Sequence, residues 1–133
     1  MIHPATDCVY GGLEGFPYDE NSEFSPNDLY GLSKMLGEPG DCLNIRASFI
    51  GPQISGFYNL LDWFRAQQGQ TIKGFKQYIW NGITTKEMAN IIDRIVESRE
   101  QFPKSGLFHV FSNPISKYDM LLKFRQKYQI DCN

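Results

Sequence analysis

Tyr30 and Lys34 stand four positions apart in Tyr30-Gly31-Leu32-Ser33-Lys34. On a helix that spacing places both side chains on one face, with the ammonium close to the phenol. A nearby cation favours the phenolate. Lys34 is therefore expected to draw Tyr30 below the roughly 10 of an unperturbed phenol, toward proton transfer near neutral pH. A tyrosine and a lysine at this spacing recur by chance, so the pair gains meaning from what precedes it. Ala5-Thr6-Asp7-Cys8-Val9-Tyr10-Gly11 reads as the end of an apolar strand that releases a hydroxyl, on Thr6, and a carboxylate, on Asp7.

The elements that must position these groups follow from pattern. A strand is expected over Ile2 to Tyr10, and a parallel strand of this kind needs neighbours on both sides, so the start of the chain looks like the middle of a larger fold. Gly11-Gly12-Leu13-Glu14-Gly15 lacks the Gly-x-Gly-x-x-Gly spacing of a phosphate cradle and opens no long helix, so it reads as a turn. Ser25-Pro26-Asn27-Asp28 offers capping side chains for a helix from Asn27 or Asp28 to Glu38, ended by Pro39-Gly40-Asp41. Gly31 weakens that helix in isolation and suggests a close backbone approach. Cys42 to Ile50 reads as a second strand, stopped by Gly51-Pro52, and Phe57 to Gln68 as a helix. Thr71 to Phe75 suits a short strand, and Tyr78 to Ile83 a loop or strand. Thr84 and Glu87 form a capping box for a helix over Thr85 to Ser98, whose buried stripe is Met88, Ile91, Ile92, Ile95 and Val96. Gly106 to Phe111 alternates as a third strand. Ser116 opens a last amphipathic helix carrying Tyr118, Leu121, Leu122 and Phe124. Strands alternating with helices indicate an α/β architecture.

Composition narrows the partners. At 133 residues, 41% hydrophobic and 21% charged, the chain is a globular domain by length and content. A net charge of -2, with no basic run, argues against binding a phosphate backbone, so nucleic acid is not an expected partner. Cys8, Cys42 and Cys132 are an odd set with no Cys-x-x-Cys spacing and no nearby His, which suits free thiols and no metal. No segment approaches the ~20 apolar residues of a membrane helix, and no basic leader precedes an apolar stretch; a cytoplasmic protein away from membranes is expected. His3 and His109 sit in strand-like apolar settings and read as structural. Trp80 and Phe75 could stack on a nucleotide base, although buried aromatics are commoner.

The Thr6 and Tyr30-x-x-x-Lys34 arrangement resembles the extended short-chain dehydrogenase/reductase family, in which a Ser or Thr at a strand end works with such a helix. Thr6-Asp7-Cys8-Val9-Tyr10, Leu43 to Gly51 and Ile115-Ser116-Lys117-Tyr118-Asp119 resemble the dTDP-4-dehydrorhamnose reductase group in particular. The likeness spans nearly the whole chain but corresponds to the second part of such an enzyme. It implies the C-terminal strands of a partial Rossmann-like parallel sheet, with helices and a small substrate-binding subdomain in a single α/β unit. The glycine-rich half that meets the dinucleotide lies outside it.

The resemblance further implies reduction of a 4-keto-6-deoxy nucleotide sugar with NADP or NAD. Tyr30 would protonate the carbonyl oxygen as hydride arrives from a nicotinamide, with Thr6 hydrogen-bonding that oxygen. Lys34 would lower the phenol's pKa and, with Tyr30, hold the nicotinamide ribose. Ser48 and Phe49, within the strand end Arg46 to Pro52, would lie near the nicotinamide. Asp7, Cys8 and Trp80 would border the substrate. Nucleotide-sugar dehydratases resemble one another in carrying Asp then Glu after the hydroxyl; Cys8 in the second place removes the base for eliminating water, whereas a ketone reductase needs none. A nucleotide-sugar epimerase uses the same Tyr and Lys, and a non-catalytic module is a further alternative, since the group resembles a regulatory subunit of methionine adenosyltransferase. As a fragment the isolated chain is expected to be inactive, and to self-associate through an exposed sheet edge.

Overall fold

The computed structural model describes residues 1–12, 17–56 and 59–132. In chain order come β1 (Ile2–Thr6), a 3-10 turn (Asp7–Val9), α1 (Leu29–Leu36), β2 (Leu43–Ala47), β3 (Phe49–Ile50) and α2 (Leu60–Arg65). Then follow β4 (Ile79–Trp80), β5 (Ile83–Thr84), α3 (Thr85–Glu97), a second 3-10 turn (Arg99–Gln101), β6 (Gly106–His109), β7 (Ile115–Ser116) and α4 (Lys117–Tyr128). They gather into two compact units, Met1–Ser48 with Glu87–Phe111 and Phe49–Lys86 with Ser112–Asn133.

The first unit is built on a parallel sheet in the order β1-β2-β6. Ile2 pairs with Leu43 and Thr6 with Ala47, while Leu43 pairs with Gly106 and Arg46 with His109. As the central strand, β2 is buried at every position, as expected where both faces are covered. Val9, Tyr10, Cys42, Met88 and Ile95 add to this unit's buried core. Among the described residues β1 pairs with β2 alone, and it carries Pro4 at its midpoint.

In the second unit β3 pairs in parallel with β5, and β4 pairs antiparallel with β7. Phe64, Leu121, Ile130 and Cys132 form its core, with Leu60, Ile72 and Phe124 packed against them. Asn59 caps α2 by accepting the Asp62 N–H at 2.8 Å, and the buried Asp62 carboxylate accepts the Gln53 N–H at 3.0 Å. Ser116 caps α4 by accepting the Asp119 N–H at 3.0 Å and donates its own hydrogen to the Asp119 carboxylate at 2.6 Å.

The partial Rossmann-like α/β fold expected from the sequence is present, with its boundaries redrawn. The first strand stops at Thr6 rather than Tyr10, because the Thr6 hydroxyl accepts the Cys8 N–H at 3.2 Å and turns the backbone into the 3-10 turn. The strand expected over Cys42 to Ile50 breaks at Ser48, with its two parts pairing in different sheets. Thr71 to Phe75 forms no strand, and α1 ends at Leu36, capped by Gly37 before the Pro39-Gly40-Asp41 stop. Val96, placed on the buried stripe of α3, is 60% exposed. Leu13, Glu14 and Gly15 of the glycine-rich turn, and Phe57 at the expected start of α2, lie outside the described residues.

Candidate active site

The three residues proposed for chemistry stand on two elements of the first unit. Thr6 closes β1 in register with Ala47 and caps the 3-10 turn. Tyr30 and Lys34 lie on α1, whose first turn is fixed by Asp28 accepting the Gly31 N–H at 2.7 Å. Asp28 thus caps the helix as its residue type suggests.

The helix is pressed onto the turn that begins at Thr6. A Cβ added to Gly31 would collide with the Cys8 carbonyl oxygen and stand 3.0 Å from Cβ of Pro26. Only glycine permits that crossing. The connection is tied down as well: the Ser25 N–H donates to the Val9 carbonyl at 3.0 Å, and the Gly11 N–H to the Ser25 hydroxyl at 2.8 Å. Accordingly α1 packs against both the turn and β1.

Lys34 Nζ lies 5.5 Å from the centre of the Tyr30 ring, the neighbourhood that their spacing implied. Tyr30 is 53% exposed. Glu38, four positions beyond Lys34, is not its partner, because its carboxylate is bound by Arg46.

Thr6, Asp7 and Ser48 form a second cluster. Asp7 follows Thr6 and Ser48 follows Ala47 across the β1-β2 pair, so the two side chains meet at the ends of adjacent strands. Asp7 is an exposed residue, yet the protein atoms crowded around its carboxyl push it above its ordinary value, against hydrogen bonds from its own backbone and from Ser48 and Thr6. Cys8 is exposed, its sulfur 4.0 Å from an Asp7 carboxylate oxygen. Phe49 and Trp80 belong to the second unit, in β3 and β4, paired with Ile83 and Ile115.

A buried polar network in the first unit was not anticipated. Arg46, 3% exposed in mid-sheet, donates from Nε to both oxygens of Glu38, at 3.1 and 3.2 Å, and again from Nη2. From Nη1 it donates to the Tyr10 hydroxyl at 2.6 Å. The Phe24 ring centre lies 4.6 Å from the guanidinium carbon. Tyr10 also meets His109 Nε2 at 2.9 Å and stacks on Tyr18 at 4.5 Å. Burial lowers the His109 pKa against the pull of Glu20, whose carboxylate accepts the His109 backbone N–H at 2.8 Å. The available signal was a lone arginine inside a strand covered on both faces, since such a charge requires a partner.

Among the described residues no group of three or more His, Cys, Asp or Glu is placed to hold a metal ion, and no helix is long and apolar enough to cross a membrane.

No family model matches the chain. A hypothetical dTDP-4-dehydrorhamnose reductase from Sulfolobus tokodaii superimposes with a TM-score of 0.74 at 29% identity, covering 99% of this chain and 48% of that one. The fold is that of the C-terminal part of a dTDP-4-dehydrorhamnose reductase. The Bacillus anthracis dTDP-4-dehydrorhamnose reductase, solved in complex with NADP, shares this reductase-like fold at a TM-score of 0.76 and 19% identity, again over 99% of this chain and 48% of that one. The spore coat polysaccharide biosynthesis protein SpsK of Bacillus subtilis is 27% identical over 124 residues, 88% of this chain and 42% of SpsK. The chain thus spans about half the length of the relatives it matches.

Proposed function

We propose that this chain carries the proton-donating part of an NAD(P)-dependent reductase acting on a 4-keto-6-deoxy nucleotide sugar. The observation that carries the reading is the Gly31 crossing, which holds the helix of Tyr30 and Lys34 against the turn opened by Thr6. A bound nicotinamide would supply hydride to the carbonyl carbon. Tyr30 gives its proton to the carbonyl oxygen, and the tyrosinate left behind lies beside the Lys34 ammonium. Solvent can restore that proton, because the Tyr30 side chain is half exposed. Thr6 holds the oxygen by turning its hydroxyl hydrogen from Asp7 toward it.

The residues present fit the nicotinamide end of a dinucleotide. Exposed Tyr30 and Lys34 offer a hydroxyl and an ammonium to the ribose, with Ser48 as a further candidate just past the end of β2. The described glycines of the Gly11-Gly12 turn do not make a phosphate cradle. Their amides are already donated, from Gly11 to Ser25 and from Gly12 to the Tyr18 hydroxyl at 2.7 Å.

Charge supports a phosphate-bearing substrate. The second unit holds eight Lys and Arg against three Asp and Glu, while the first holds five against twelve. Lys76 lies over Tyr118 at 5.0 Å and Lys117 over Phe75 at 5.5 Å, so cations and aromatic faces alternate near Trp80. Such a surface suits a base joined to a diphosphate. Asp7 and Cys8 would border the sugar, and the Asp-Cys pair favours ketone reduction over elimination of water.

The test is Tyr30→Phe in a protein carrying the whole reductase-like fold, assayed with dTDP-4-keto-6-deoxyhexose and NADPH or NADH. A loss of about 10²–10⁴-fold in kcat is expected. Undiminished turnover would refute Tyr30 as the acid.

A further inference from the structure

We infer that Arg46 is a positioning residue that sets the Thr6 segment against the Tyr30 helix, an inference resting on the reading of Thr6 and Tyr30 as partners in one site. The geometry lies in what each edge of its guanidinium binds. One edge, Nε and Nη2, grips the carboxylate of Glu38, four residues beyond Lys34 and just past the Gly37 cap of α1. The other, Nη1, holds the hydroxyl of Tyr10, four residues beyond Thr6 at the end of the 3-10 turn. Arg46 itself is fixed in β2 between Ala5 of β1 and His109 of β6. One rigid plane in the middle of the sheet therefore binds the far ends of both chemistry-bearing segments. Between those two anchors the segments meet at the Gly31 crossing, and the Ser25–Val9 bond ties the connection that joins them.

Arginine is required because its fork supplies donors in two directions at fixed angles, whereas a lysine ammonium is a point charge on a flexible stem. Burial strengthens the requirement. At 3% and 10% exposure neither Arg46 nor Glu38 can exchange its partner for water without a large desolvation cost. The Phe24 and Tyr10 rings, 4.6 and 5.4 Å from the guanidinium carbon, hold its plane in place. Arg46 touches no reacting atom in this arrangement and acts only through the segments it joins.

The experiment reads the crossing directly. In the isotope-labelled 133-residue chain, proton–proton NOEs between Gly31 and Cys8 report contact between helix and turn. They are measured in the wild type, in Arg46→Lys, and in the two variants that cut one link each, Tyr10→Phe and Glu38→Gln. Ile95→Val, a buried change in α3 of the same unit, serves as the stability control. The NOEs are expected to fall below half in Arg46→Lys and to weaken in both single-link variants, with Ile95→Val unchanged. Full-strength NOEs in Arg46→Lys, or an equal loss in Ile95→Val, would overturn the inference. If Arg46→Lys does not fold, the single-link variants decide: unchanged NOEs in both overturn it. The readout needs neither cofactor nor turnover, so its outcome is separate from that of Tyr30→Phe.

Discussion

Asp7 keeps a carboxylate where its surroundings disfavour one. Its folded pKa is raised above 3.8 because desolvation of the charged form by the atoms around it outweighs the hydrogen bonds from Ser48 and Thr6. Between 3.8 and the raised value the folded chain retains a proton that the unfolded chain has released. Stability therefore falls as pH rises through that window and remains reduced above it. Asp7→Asn removes the ionisation, so its thermal midpoint should exceed the wild type's at pH 7 and converge with it below pH 3.8. Melting curves at several pH values check this, and a lower midpoint for Asp7→Asn at pH 7 would show that the carboxylate is a net support of the fold. The sequence pointed to Thr6, Asp7, Tyr30 and Lys34 because short-range spacing suggests a strand end and a helix face and because those residues together resemble a reductase motif. It did not point to the Arg46–Glu38–Tyr10 network, since nothing local says which distant groups will meet a buried guanidinium.

Among the elements, α1 owes its position to a residue poorly suited to helices. An alanine at Gly31 would favour an isolated helix by up to about 1 kcal/mol. In this chain its methyl would strike the Cys8 carbonyl, and relief of that overlap costs about 1–3 kcal/mol. Gly31→Ala is therefore expected to lower the urea midpoint, despite its better propensity. A raised midpoint would mean that the helix can lift from the turn. The close approach was legible because glycine in a helix needs a reason. Other limits were not. No Gly or Pro interrupts Leu43 to Ile50, and the break at Ser48 exists because Phe49 and Ile50 find partners in Ile83 and Thr84. Pairing of that kind is a long-range fact. Thr71 to Phe75 carries strand-like residues but finds no sheet partner, so propensity alone misleads there.

At the scale of the whole molecule, a net charge of -2 concealed a division. The acidic excess lies in the first unit and the basic excess in the second, so overall charge said little about affinity for an anion. The sheet was expected to show an open edge, and among the described residues β1 pairs only with β2. The Leu43 N–H donates to the Met1 carbonyl, and alternation then sends the hydrogen-bonding groups of Met1, His3 and Ala5 toward β2 and those of Ile2, Pro4 and Thr6 outward. We propose that copies of this chain pair weakly along the flank, and that Pro4→Ala strengthens the association by restoring a donor. Sedimentation velocity over a range of concentrations tests this, and identical monomers for both proteins would exclude the flank as a contact. Pro4 thus acts as a missing rung. A strand laid against β1 loses a bond in every alignment that brings a carbonyl opposite that ring, so the proline grades incoming neighbours by how they line up.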